Sequence, residues 1–428
     1  IKNLFIFICS ISLAFFVFLL EKNQALKPVH PRLLNKDNYL ELACWILIIA
    51  IIGAIFYLNK KLSIKTFIKK IFVILFPSAI ATFFVLIKPA RESAWSALAF
   101  AIYVSIISFY FLKKIYLKRN PREKKIKIKE WIKNQGKTNV LIVALLMISY
   151  LSFGAYNIGK FAAVDEALWN FGRTPEFWKE IRKANWNGTR ISDKPGITVA
   201  MISGIGMLFE NPLEFEFTQW NGELIKTPKE VEQMNKAMRL PIFLFGALLI
   251  PLFYFFIERI SGKTSALFSI VFIGLAPPLI GMSRIINPDS LLWIFMPMSI
   301  LAYFSYQKKG NLFYLFASGF LLGIALLTKY IANVLFVYFF LIIFLEFIFN
   351  EKIKIEDTKA YLKKSLSDFG MLSLTAIAAF FALYPAIWVK PQRILIATIQ
   401  SQAFASTWPY FAGLIFFVLV DIYVFNAK

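Results

Sequence analysis

Two adjacent carboxylates, Asp165 and Glu166, stand in a polar island at residues 164–196, just beyond a long apolar run. A carboxylate near an apolar boundary can act as a general base or hold a cation, because partial burial raises its proton affinity. At the far end of the island, Asp193, Lys194 and Pro195 precede a short apolar segment. A lysine at a helix start suits a phosphate, since its charge adds to the amide donors exposed there. Arg284 and Asp289 lie in SRIINPDS between two apolar runs, and Lys329 interrupts LLGIALLTKYIANVLFVYFF. An arginine grips phosphate through two parallel hydrogen bonds, and a lysine inside an apolar stretch marks a functional position by default. Arg239, which opens RLPIFLFGALLIPLFYFFIERISGK, is a secondary candidate together with Asp193 and Asp289. Plainer readings exist for each: acids capping helices, lysines snorkelling to the interface, an arginine among lipid headgroups.

The elements that must position these residues are membrane helices. Apolar residues make up 58% of the 428 positions, and several runs reach the length of about 20 residues that crosses a hydrocarbon core. Backbone groups in lipid must bond internally, and runs this long fit helices rather than barrel strands. The fold class is therefore an all-α polytopic membrane protein of about 12 transmembrane helices. Spans are expected at 3–20, 39–58, 71–87, 93–112, 139–158, 239–257, 264–281, 289–306, 312–328, 331–349, 367–385 and 409–425. Residues 197–209 (ITVAMISGIGMLF) are apolar but too short to cross, and read as a helix lying near the interface.

The net charge of +23 belongs to the flanks of these spans. Lysine-rich loops at 59–70, 113–137, 258–263, 307–311 and 350–364 fall on one side under strict alternation, the cytoplasmic side by the positive-inside tendency. Without a soluble basic domain, nucleic acid is not a partner. The opposite, outer side receives a large loop at 159–238, the loop at 282–289, the corner at 328–330 and the segment 386–408. All the reactive candidates thus share one face. Residues 1–138 read as a four-span N-terminal extension with a basic linker, and 139–428 as the module that carries the chemistry. The two cysteines, Cys9 and Cys44, fall in expected spans and imply no disulfide framework, and the lone His30 excludes a histidine-rich metal site. Asn187-Gly188-Thr189 is a glycosylation sequon on the outer side, a triplet frequent by chance. The chain begins at Ile1 and stops just after an apolar run, and so reads as a fragment at both ends.

The order of these segments resembles the GT-C superfamily of membrane glycosyltransferases. More narrowly it is similar to glycosyltransferase family 39, the protein O-mannosyltransferase and aminoarabinose transferase group, over about 139–395. The resemblance rests on VDEALW, SDKPGITVAM, the Arg239-Leu240 span, APPLIGMSRIINPDSLL, GFLLGIALLTKY and LYPAIWVKP in that order. It implies a sugar moved with inversion from a polyprenyl-phosphate donor to a protein, lipid or glycan acceptor. It also implies Asp165 as the catalytic base with Glu166 beside it, and Lys194, Arg284 and Lys329 as ligands of the donor phosphate. No cofactor is required, although a divalent metal beside Asp165 and Glu166 is compatible with the pattern. A plasma membrane of a bacterium or archaeon, or an endoplasmic reticulum, would house such a protein. Three departures stand out: Lys-Pro-Gly replaces the family's Lys-Pro-Pro or His-Pro-Pro, four spans precede the shared module, and no large soluble domain follows it within these residues. The rival from another class is a transporter or flippase of an anionic lipid, which would place its charges at the midplane in broken helices.

Overall fold

The computed structural model describes residues 128–349 (apart from 217–218, 221–222 and 225), 358–394 (apart from 392) and 408–423, with a few helical residues between 97 and 106. The chain forms two compact units, 1–100 and 101–428, and everything described below lies in the second. The expected spans at 3–20, 39–58 and 71–87, and most of 93–112, lie outside the described residues.

The described fold is helical apart from a two-residue antiparallel ladder, β1 (Gln219–Trp220) with β2 (Glu223–Leu224). In chain order the helices are α1 (Ile128–Gln135), α2 (Lys137–Ala155), α3 (Thr174–Arg182), α4 (Ile197–Ser203), α5 (Pro228–Ser261), α6 (Lys263–Leu275) and α7 (Pro277–Ser283). They continue with α8 (Asp289–Lys309), α9 (Leu312–Thr328), α10 (Val334–Phe349), α11 (Thr358–Leu383), α12 (Pro385–Val389) and α13 (Trp408–Tyr423). Every span expected beyond residue 138 has a helix. Among the described residues, four stretches are long and apolar enough to cross a membrane: α2, α5, residues 330–347 into α10, and 360–383 of α11.

The expected span at 264–281 is bent, with α6 and α7 meeting at 61°. The cause is local: Ala276 precedes Pro277 and adopts an extended conformation (φ −69°, ψ 112°), because a proline ring crowds the helical region of the residue before it. Helix α5 is the longest element at 34 residues, about 51 Å at 1.5 Å per residue, and so projects beyond a hydrocarbon core of about 30 Å. Its start is fixed by a capping box in which the Thr227 hydroxyl accepts from the Glu230 amide while the Glu230 carboxylate accepts from the Thr227 amide.

The bundle core is α5, α8, α9 and α11, packed in that sequence, with α6 and α2 covering the other flank of α5. Small residues let the backbones close up: a Cβ at Gly319 or Gly323 of α9 would overlap carbonyl oxygens of Leu372 and Ala376 in α11. Ser299 of α8 and Ser318 of α9 exchange hydroxyl-to-carbonyl hydrogen bonds of 2.8 Å in the same interior. At one end of the bundle sit the basic turns, tied to α1 by Trp131 donating to Glu258 and Tyr254 donating to Gln135. The other end is capped by the polar segment between α2 and α5. There α4 is wedged between α3, α5 and α9 rather than lying free, with Ile197, Val199 and Ala200 fully buried. Trp178 of α3 donates to the Ala200 carbonyl at 2.9 Å, which locks α3 to α4.

Candidate active site

The polar segment is fastened to the bundle by a buried ion pair. Glu166 is 3% exposed and Arg239 1% exposed, and the carboxylate accepts from both Nε and Nη2 of the arginine. One of the same oxygens also accepts the amide of Ile286 at 2.8 Å. Two further guanidinium N–H groups donate to the carbonyls of Ile158 (2.6 Å) and Phe161 (2.8 Å). A fully buried charge pair is tolerable only when its donors and acceptors are largely used, and here four of the five guanidinium N–H groups and both carboxylate oxygens are bonded. The effect is to hold three separate segments, the turn after α2, the head of α5 and the α7–α8 corner, against one another.

Asp165, one residue earlier, differs in its surroundings. It is exposed, and its Oδ2 accepts from Asn287 Nδ2 at 3.2 Å. Asn287 in turn accepts the Asp289 amide on its Oδ1 at 3.0 Å, which shapes the entry into α8. Asp289 forms an ion pair with Lys329 across the bundle end, at 2.8 and 3.0 Å. Lys329 ends α9 in an extended conformation, and the carbonyl of the preceding Thr328 accepts the Gly196 amide at 3.2 Å. Lys194 lies two residues from Gly196, exposed, with its backbone amide bonded to the Ser192 hydroxyl. Asp193, also exposed, accepts from that hydroxyl as well. A continuous run of contacts therefore links Asp165, Asn287, Asp289, Lys329 and the Lys194 turn.

Arg284 completes this end. Its Nη2 donates to the Tyr156 carbonyl at 2.5 Å, and its guanidinium lies 5.0 Å from the Phe161 ring, whose other partner is Arg239 at 3.9 Å. Burial, and the nearby Arg239, both pull the Arg284 pKa down. Its buried Nε has no hydrogen-bond partner among the described residues. Two guanidiniums share this corner with the single buried carboxylate of Glu166, so positive charge is left over there.

The departure at Lys-Pro-Gly has a structural reason. Gly196 sits at φ +66°, a left-handed conformation, and a Cβ at this position would overlap the ring of buried Trp169. The Thr198 and Thr328 hydroxyls, 2.8 Å apart, pin the turn to the end of α9. The sequon is also accounted for: Asn187 Oδ1 accepts from Arg393 at 2.9 Å, and the Thr189 hydroxyl donates to the Trp186 carbonyl. Asn287 was not singled out from the sequence, although an Asn-Pro-Asp run is a recognisable turn signal. Among the described residues, no three His, Cys, Asp or Glu side chains converge.

Comparison with known families supports a class. Residues 230–366 match the family described as dolichyl-phosphate-mannose-protein mannosyltransferase. Over this stretch the chain is similar to membrane glycosyltransferases of the GT-C type. The match covers about a third of the chain, from the head of α5 into α11, and includes Arg239, Arg284, Asp289 and Lys329. Asp165, Glu166, Asp193 and Lys194 lie outside it and reach the glycosyltransferase helices through the contacts just described. No curated protein and no solved structure matches the chain.

Proposed function

We propose that this glycosyltransferase moves a sugar from a polyprenyl-phosphate donor to a hydroxyl of a protein, lipid or glycan acceptor on the outer face of its membrane. The observation that carries the reading is the contrast within the acid pair. Glu166 is saturated by Arg239 and Ile286, whereas Asp165 is open and stands on the same run of contacts as the cations. In this reading Asp165 takes the proton of the acceptor hydroxyl, whose oxygen bonds the anomeric carbon as the bond to the phosphate oxygen breaks. Direct displacement inverts that carbon, and the electron pair leaves with polyprenyl phosphate.

The leaving phosphate needs fixed positive charge where its own charge develops. Arg284 supplies an uncompensated guanidinium with a donor to spare. Lys194 is exposed, and Lys329 can exchange Asp289 for the phosphate, their ion pair being partly open to solvent. Glu166 and Arg239 act as positioning residues, and Asn287 orients Asp165. A divalent metal near Asp165 would have to do without Glu166, whose oxygens are taken, and no step here runs through one.

The test is transfer of labelled sugar from a polyprenyl-phosphate donor by membranes containing this chain. Asp165→Asn should lower the transfer rate by about 10²–10⁴-fold, the contribution of a positioned general base. Undiminished transfer by that variant would remove Asp165 from the role.

A further inference from the structure

The 3-10 turn Gly204–Leu208, which continues α4, holds its small residues inward and its large ones outward. Gly204 and Gly206 are buried: a Cβ at the first would overlap the Trp178 indole, and a Cβ at the second the Ala237 carbonyl of α5. Ile205 is 48% exposed, Leu208 81% and the following Phe209 76%. That order is the reverse of what water favours in a turn. Lone exposed leucines are ordinary, but three large apolar side chains within five residues form a patch that marks an interaction surface.

The place of the turn on α5 identifies what covers the patch. Ala237, against which Gly206 packs, shares a face of α5 with Leu244, Leu248 and Leu252 by helical spacing. Those three leucines are exposed within a stretch that is apolar enough to span the membrane, so this face looks onto lipid. The apolar run begins at Leu240, and Ala237 lies beyond it by about 4.5 Å at 1.5 Å per residue. That height is the headgroup layer, where an apolar face sinks about 5–10 Å into the boundary with the acyl chains. Paired polar side chains follow farther from the bilayer. Glu210 accepts at 2.7 Å from Gln233, about one helical turn beyond Ala237. Glu214 pairs at 3.9 Å with Lys226, which precedes the start of α5. Lipid-facing leucines, then the apolar turn, then paired acids make a gradient along the bilayer normal.

We infer that Ile205, Leu208 and Phe209 insert into the lipid leaflet on the side of Asp165 and Lys194, as a membrane anchor of the polar segment. The partner is the hydrocarbon boundary of a phospholipid leaflet. The inference rests on the chain spanning a membrane and stands apart from the transfer reaction. Because α4 runs from Gly196 directly into this turn, the anchor sets the height of the Lys194 turn above the bilayer.

Bimane attached to single cysteines of the full chain tests it, in a Cys9→Ser, Cys44→Ser background. The chain is reconstituted in phosphatidylcholine vesicles, with and without acyl chains brominated near the headgroup. Leu208→Cys and Phe209→Cys carry the probe, and Lys179→Cys, exposed on α3, is the reference for water. Both apolar positions are exposed, so the melting temperature in detergent should match that of the cysteine-free parent. Emission at Leu208→Cys and Phe209→Cys should shift to the blue on reconstitution and fall several-fold in brominated vesicles, while iodide in the water has little effect. Lys179→Cys should respond to iodide and not to bromine. Iodide quenching at the two apolar positions equal to that at Lys179→Cys overturns the inference, since the patch then faces water. Shielding from both quenchers overturns it too, since a second copy of the chain then covers the patch. Sugar transfer is not read in this assay, so failure here leaves the transfer reading to its own test.

Discussion

Asp165 and Glu166 are neighbours with the same chemistry and opposite surroundings. Three donors converge on Glu166, so its negative charge is spent on fixing the turn after α2. Removing one partner of a buried pair leaves the other charge unanswered, at a cost of about 3–5 kcal/mol. Glu166→Gln should therefore lower the thermal unfolding midpoint markedly, measured in detergent by intrinsic fluorescence. Asp165→Asn loses only an exposed contact to Asn287 and should leave that midpoint within a degree or two, since exposed pairs contribute about 0–1 kcal/mol. Equal destabilisation by the two would contradict the division of labour proposed for them. Lys329 illustrates the same point among the cations. Its charge is already shared with Asp289, whereas Arg284 keeps an unused donor.

At the scale of elements, the short α4 positions the cations. It is a wedge, held by Trp178 on one side and by the Thr198–Thr328 contact on the other. The turn that opens it depends on Gly196, where left-handed backbone and the Trp169 ring leave no room for a side chain. Gly196→Ala should cost about 1–2 kcal/mol from the backbone conformation alone, with the overlap on Trp169 added. Because Lys194 rides on this turn, transfer should fall further than stability. Titrating transfer against donor concentration would show it as a raised apparent KM for the donor. A variant with wild-type kinetics would mean that the turn does not place Lys194 at the donor.

For the whole molecule, the proposed outer face follows from where the basic turns gather. In the described helices those turns share the end to which α1 is tied, and the site residues share the other. In a Cys9→Ser, Cys44→Ser background, Glu176→Cys should react with a membrane-impermeant maleimide added to intact cells. Lys309→Cys should react only after permeabilisation. The reverse pattern would invert the topology and move the site to the cytoplasm. The transporter reading predicts charged residues at a break within the bilayer. Among the described residues the bundle holds one broken helix, at α6–α7, but the break is made by Ala276 and Pro277 and bears no charge. The charges cluster at the bundle end, as a surface-acting transferase requires.

The sequence by itself determined the membrane class, the helix positions beyond residue 138 and the gathering of acids and bases at one end. Those properties follow from composition over windows of about 20 residues and from lysine asymmetry, both local quantities. It also named Asp165, Lys194, Arg284 and Lys329, because charge beside an apolar run is conspicuous. Only the tertiary structure decided which charges remain available. That depends on partners far apart in the chain, 73 residues for Glu166 and Arg239 and 206 for Asn187 and Arg393. No periodicity in the sequence encodes whether such a pair forms. The bend at Pro277 was within reach of local rules, but the saturation of Glu166, the capture of Lys329 by Asp289 and the meeting of Asn187 with Arg393 were not. Each is fixed by how the polar segment folds back over the bundle, where burial makes an unmatched charge costly and so selects the partner.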